Sequence, residues 1–244
     1  MRHSLSFDLL VLSWIASTAH GFGIFSKSPS KPATNFAKAP QSKLTFLQSL
    51  ETLDTMNAAT KERTQMVRDM TNDNPTSQPG SKEGFQPFAA GLWSVIYAPH
   101  ITTMSKLVGR GFTPVWYDLK QDGTMISHAR FDVKLPLLPE KSGWLSVSGT
   151  YGTQDDNRVC RVDFDKAWIK WNDDNNNTED APYPTLEDVA PSLEKTIIQT
   201  LGKWLFIDSF SVFPVSYLDD DLIVFDFELL GTRICARKIK KETP

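Results

Sequence analysis

Three groups of side chains in this 244-residue sequence have the types and spacing to do chemistry. Asp219-Asp220-Asp221 gathers carboxylates able to chelate a hard cation, yet Asp also favours turns, and a polar hairpin turn kept for solvation is the preferred reading. Asp163 and Asp165 are spaced as an acid pair, but two residues apart on a strand they sit side by side on one face, expected to be wet. His128 and Arg130 share a strand face with Ile126. Turned inward, Arg130 would grip a carboxylate or head group; turned outward, both are simply solvated, and strand parity leaves the two readings open.

The remaining reactive groups form no constellation. His3 and His20 fall near the N-terminus, and His100 and His128 lie on separate segments without metal-ligand spacing, so no metal and no cofactor is expected. A G-x-S-x-G elbow and a phosphate-cradling glycine loop are both lacking. Cys160 has no identifiable partner for nucleophilic work. It alternates with Val162 and Phe164, which predicts burial, whereas Cys235 alternates with Arg233 and Arg237, which predicts exposure; opposite faces argue against a disulfide. With 26 Lys and Arg against 29 Asp and Glu, the chain carries no basic excess for nucleic acid. An enzyme is therefore not the first expectation.

The elements that would position these residues follow from periodicity. Leu44 to Met70 has no Gly or Pro, sets Leu47, Leu50, Met56, Val67 and Met70 near one face, and predicts a helix that Asn74-Pro75-Thr76 ends. From Leu92 the period becomes two. Strands are expected at Leu92–Ala98, Thr113–Leu119, Met125–Phe131, Leu145–Tyr151, Val159–Trp171, Phe206–Tyr217, Leu222–Leu229 and Thr232–Ile239. Turns are expected at Gln121-Asp122-Gly123 and at 154–157. In the strand from Leu222, Ile223, Phe225, Phe227 and Leu229 predict a dry face, and Val224, Asp226 and Glu228 a wet one. The polar loop over 172–180 and a helical pattern from Thr185 to Trp204 interrupt the series. Strands joined at this spacing indicate a mainly β, antiparallel sandwich or barrel.

The N-terminus reads as an address. A basic start, the short apolar run Leu9–Ala16 and the small residues Ala19 and Gly21 predict a signal peptide over 1–21, cut before Phe22. Residues 22–43 hold Lys27, Lys31, Lys38 and Lys43 among Ser, Thr, Pro and Ala with no acid, the composition of a transit segment. The pair resembles the bipartite plastid leaders of algae with complex plastids; a secreted protein with a linker is the alternative, which the Asn176-Asn177-Thr178 sequon would suit. The mature chain then divides into a helix and linker at 44–84 and a β domain at 85–241.

The helix ending in Asn74-Pro75-Thr76, Gly91-Leu92-Trp93 with Tyr97, the turn-rich strands and the closing Tyr217-Leu218-Asp219-Asp220-Asp221-Leu222 together resemble the plastid lipid-associated proteins, or fibrillins. The chain departs from that family where Leu222-Ile223-Val224-Phe225 replaces the usual basic continuation, and 171–184 looks like an insertion. The resemblance implies a lipocalin-like antiparallel barrel with an N-terminal helix and one inserted helix. It implies association with plastid lipid bodies or thylakoids, and binding of carotenoids, quinones or other lipids. Trp93 would plug the closed end of such a barrel.

A hollow barrel suits an apolar guest, since burial stabilises by about 25 cal/mol per Å². Tyr97, Trp116, Trp144 and Tyr151 are the candidate contacts, each joining a large apolar face to a polar handle, with Arg130 for a polar end; ordinary core packing is the rival role for each aromatic. Two other readings stand beside a lipid carrier: a barrel enzyme acting on an apolar substrate, and an assembly factor using the barrel as a protein-binding surface.

Overall fold

Alternation with period two becomes strand wherever the structure can be followed. The structure is a computed structural model describing residues 40–50, 60–76, 78–101, 112–133, 141–153, 159–172, 181–182, 185, 187, 212–227 and 231–239. Its strands are β1 (Gly91–Tyr97), β2 (Phe112–Leu119), β3 (Thr124–Val133), β4 (Lys141–Thr153), β5 (Val159–Trp171), β6 (Val212–Leu218), β7 (Leu222–Phe227) and β8 (Thr232–Lys238). Each pairs antiparallel with its chain neighbour and β8 returns to β1, so the sheet closes as a barrel in simple sequential order. The fold is mainly β, a closed eight-stranded lipocalin-like barrel. Closure gives every strand a partner on both sides, although β5 meets β6 only at residues 159–161.

The β2–β3 turn forms for the reason its sequence gives. Gly123 takes φ +85°, and Asp122 accepts from the Thr124 amide at 2.9 Å and its hydroxyl at 2.7 Å.

Register fixes what faces inward. Tyr117 lies opposite Ser127 and Leu119 opposite Met125, and these point into the barrel; Trp116 lies opposite His128 and points out. The long strands β4 and β5 continue the rule: Ser146 pairs with Trp168 on the outer side and Val147 with Ala167 on the inner.

Three helices precede the barrel: α1 (Gln41–Leu50), α2 (Lys61–Asn72) and α3 (Lys82–Ala89). The single helix expected over 44–70 is not what forms. Phe46 and Leu50 of α1 share one buried cluster with Val67 and Met70 of α2, whereas one straight helix would set residues 46 and 70 roughly 36 Å apart. Thr60 caps α2 by accepting from the Arg63 amide at 3.2 Å, and Ser81 caps α3 by accepting from the Gly84 amide at 2.9 Å. Asn74 and Thr76, beyond α2, dock on β6: Thr76 donates to the Leu218 carbonyl at 2.8 Å, and Asn74 both donates to the Ser216 carbonyl and accepts from the Leu218 amide.

The α1–α2 pair lies on the outer side of β1, β6, β7 and β8, where it buries Tyr97, Tyr217, Leu222, Val224 and Cys235. This corrects two expectations. Val224 and Cys235 do face away from the barrel interior, but helices rather than water cover them, and both are fully buried. Cys160 belongs to the interior cluster, so the two thiols are indeed on opposite faces, and both are free.

The acidic turn is corrected as well. Asp219 is buried and accepts from Lys43 Nζ at 2.6 Å, from the Tyr217 hydroxyl at 2.7 Å and from the Leu222 amide at 2.9 Å; Asp221 also accepts from Lys43. Lys43, placed by composition at the end of the leader, is thus a buried part of the fold. Residues before 40, the loop over 173–180, the start of the strand expected at 206 and nearly all of the helix expected over 185–204 lie outside the described residues.

Candidate functional site: an apolar cavity in the barrel

The barrel is closed at one end by its own chain. Helix α3 puts Phe85 edge-on to Tyr151 and Phe225, at centroid distances of 6.1 and 6.5 Å. Trp93 of β1 is fully buried beside Phe85 and Ala89, and its Nε1 donates to the Ala89 carbonyl at 2.8 Å. Lys238 of β8 crosses this floor, donating to the Phe88 carbonyl at 2.9 Å with its amine 5.0 Å from the Trp93 ring centre. Gly91 admits that crossing: its φ is +141°, and a Cβ there would stand 2.5 Å from Lys238 Cε. Trp93 therefore takes the structural place expected of it.

Above the floor the interior is not filled. A cavity of about 220 Å³ remains, walled on one side by Phe213, Phe225 and Phe227 and on the other by β2 and β3. Phe213 stacks on Phe227 at 6.0 Å and meets Phe225 edge-on at 6.1 Å, so the aromatic wall is mutually braced. Leu119, Met125, Val162 and Ile234 add aliphatic surface. Polar groups are few: His100, Tyr117, Ser127, Tyr151 and Cys160. This is the composition of a small-molecule site, apolar with a handful of placed polar atoms.

Burial tunes these groups toward neutrality. It pushes the Cys160 thiol up to about 12, so the thiolate needed for nucleophilic or metal chemistry is disfavoured at neutral pH. It raises the Tyr117 hydroxyl above its ordinary range and Tyr151 to about 12, keeping both protonated donors. It lowers His100 to about 4, leaving a neutral ring whose Nδ1 lies 3.3 Å from the Thr232 hydroxyl. A cavity without charge is what an apolar guest requires.

Of the five residues singled out as ligand contacts, Tyr151 lines this cavity, with its hydroxyl donating to the Lys120 carbonyl at 2.6 Å. The other four lie elsewhere. Tyr97, after a register shift in β1, packs under α1 edge-on to Phe46 at 5.8 Å and meets the Thr64 hydroxyl at 3.1 Å. Trp116, Arg130 and Trp144 are on the outward side of β2 to β4, where Trp116 and Trp144 lie 4.9 Å apart and Arg130 pairs with Asp132 at 2.7 Å. Sequence reasoning missed Tyr117, Ser127 and the Phe213–Phe225–Phe227 wall. Their signal was available: Ser127 alternates with Met125, and Tyr117 is next to Trp116 but on the other parity.

Outward-facing His128 is also buried, at 6 % exposure, with Nδ1 2.8 Å from the Ser146 hydroxyl and its ring edge-on to Trp168. Burial lowers its pKa to about 4. The folded pKa lies below the unfolded value near 6.5, so the unfolded chain binds the proton more readily, and the stabilisation is complete above about 6.5 and drains away toward 4. From about pH 6.5 to 5, His128 accounts for a loss of about 2 kcal/mol. Urea denaturation across that range measures it; His128→Gln removes about half of the histidine-linked slope, His100 keeping the rest, and an unchanged slope in that variant refutes the assignment.

A second hollow of about 400 Å³ lies outside the barrel between α2 and the β7–β8 end. Its edge carries the Arg233–Asp226 ion pair at 2.8 Å, and Tyr97 lines it. It is larger, but Arg68, Asp226 and Arg233 make its lining charged, unlike that of the interior cavity. Among the described residues, no group of three or more His, Cys, Asp or Glu is placed to hold a metal ion.

Fold and site together define a class: an antiparallel barrel with a capped floor and a small uncharged interior. No protein-family model matches the chain, and no curated protein matches it.

Proposed function

We propose that this barrel binds a small apolar molecule in its interior and acts as a carrier rather than an enzyme. The observation that carries the reading is the unfilled cavity of about 220 Å³ with its almost wholly apolar lining. A cavity of about 150 Å³ already holds benzene, so scaling by volume gives room for roughly nine non-hydrogen atoms. That suits one ring, or the ring end of a longer lipid, and not a whole carotenoid chain. The acid-poor segment before Lys43 supports delivery to a plastid, with lipid bodies or thylakoid surfaces as the source of the guest. No helix among the described residues is long and apolar enough to cross a membrane, in keeping with a peripheral role.

The test uses the full chain, purified from a pigmented host and extracted for mass spectrometry, followed by thermal unfolding with a panel of ring-bearing lipids. A guest at a hundred times its Kd stabilises by about 2.7 kcal/mol, which for a chain this size raises Tm by roughly 5–10 °C. Ile234→Trp fills the cavity and removes that shift. A native protein that coextracts nothing and is shifted by no member of the panel sinks the proposal.

A further inference from the structure

Two hydroxyls inside the cavity have no partner. Tyr117 and Ser127 are directly opposed across the β2–β3 pair, and both side chains line the interior. Among the described residues, neither hydroxyl makes a hydrogen bond within the protein. The third hydroxyl of the cavity, that of Tyr151, is already committed to the Lys120 carbonyl at 2.6 Å. Both residues are half-buried and open onto the cavity, so their hydroxyls are free to donate to whatever occupies it.

The placement of this pair has a direction. In the closed order of strands, β2 and β3 stand across the barrel from β6 and β7. The hydroxyl pair thus faces the aromatic wall of Phe213, Phe225 and Phe227. Opposed residues start about 5 Å apart at Cβ, and the longer tyrosine carries its hydroxyl further inward than the serine does. The phenol therefore donates deep in the cavity and the serine close to its wall.

We infer that the guest is a compact ring carrying an oxygen function, a ketone or a similar acceptor, held with that oxygen toward Tyr117 and Ser127 and its hydrocarbon body against the three phenylalanines. This deepens the proposed function and rests on the cavity taking a guest at all. It makes the site selective: a hydrocarbon of the same shape leaves both hydroxyls unpaired, and sites built on hydrogen bonds reject analogues that lack the matching atom. Phenolic and alcoholic hydroxyls both donate, so a neutral acceptor suffices and no ion is needed.

Indane and indanone share one ring skeleton and differ by the carbonyl oxygen, and both match the size of the cavity. Their affinities are measured calorimetrically on the full chain in native form and as Tyr117→Phe, Ser127→Ala, the double variant and Ser148→Ala. Indanone weakens by about tenfold in the double variant, the worth of its lost hydrogen bonds, while indane changes by less than about twofold. Each single variant shows part of that loss, which preserves the test should the double variant fold poorly. Ser148→Ala, whose hydroxyl bonds Asp165 at 2.6 Å on the outer side of the wall, keeps the native ratio of the two affinities. An unchanged ratio in folded Tyr117→Phe and Ser127→Ala overturns the anchor but leaves cavity binding intact. Binding of neither compound by the native protein overturns the proposed function, and the inference with it.

Discussion

Trp93→Ala lowers the stability of the fold by about 3–5 kcal/mol, the range for emptying a large aromatic from a core. The physical reason lies in what converges on the ring. It is fully buried, it bonds the Ala89 carbonyl through Nε1, and the Lys238 amine sits over its face. Removing the indole opens a void at the floor and strips the ammonium of its aromatic partner, after burial has already lowered the Lys238 pKa. At roughly 2–4 °C per kcal/mol, the melting temperature drops by about 6–20 °C. Trp93→Phe loses less, because most of the volume stays. A drop of under about 1 kcal/mol for the alanine variant, in urea titration, would refute the role of Trp93 as the plug.

The second large effect belongs to Lys43→Met. Its amine is shared between Asp219 and Asp221, with the Lys43 side chain only 6 % exposed and the Asp219 side chain 9 %. Removing the cation leaves the buried Asp219 without a counter-charge beside Asp221, which keeps only Arg237 at 3.6 Å, and breaking a buried pair in this way costs about 3–5 kcal/mol. Neutralising all three, with Asp219→Asn and Asp221→Asn added, recovers part of the loss, since the remaining charges no longer repel. Burial alone would raise the Asp221 carboxyl, but the hydrogen bond and charge of Lys43 outweigh it and hold the pKa below its ordinary value of 3.8. A depressed carboxylate pKa contributes stability that is present above that value and is lost as the pH falls below it. Denaturant titration of the single variant is the measurement. A loss within about 1 kcal/mol would mean the clip behaves as a surface pair.

Much of the barrel was legible from residue order. Strand positions followed from alternation and from Gly and Asp at turns, because those signals are local. Sidedness was not legible, and the reason is physical. Alternation separates two faces only when one of them is wet. Here α1 and α2 cover the outer side of β1, β6, β7 and β8, and Trp144, Ser146 and Trp168 are buried on the outer side of β4 and β5. Val224, Cys235, Tyr97 and Trp144 therefore satisfied the burial rule while facing away from the cavity. Size and polarity also misled: Trp116 and Trp144 offered more surface than Tyr117 and Ser127, yet parity decided which pair looks inward. Lys43 escaped notice because its partner lies 176 residues away, a separation no window of neighbouring residues spans.

The position of the indoles governs how occupancy can be observed. Trp93 is in the floor, Trp116, Trp144 and Trp168 are on the outer side of the wall, Trp171 meets Phe131 edge-on at 5.3 Å, and among the described residues no tryptophan lines the cavity. Intrinsic emission excited in these rings will follow unfolding closely but will be blind to contact quenching by a guest. The described rings that line the cavity are tyrosine, phenylalanine and histidine, so occupancy is better followed through their nuclear magnetic resonances than through the light of the indoles.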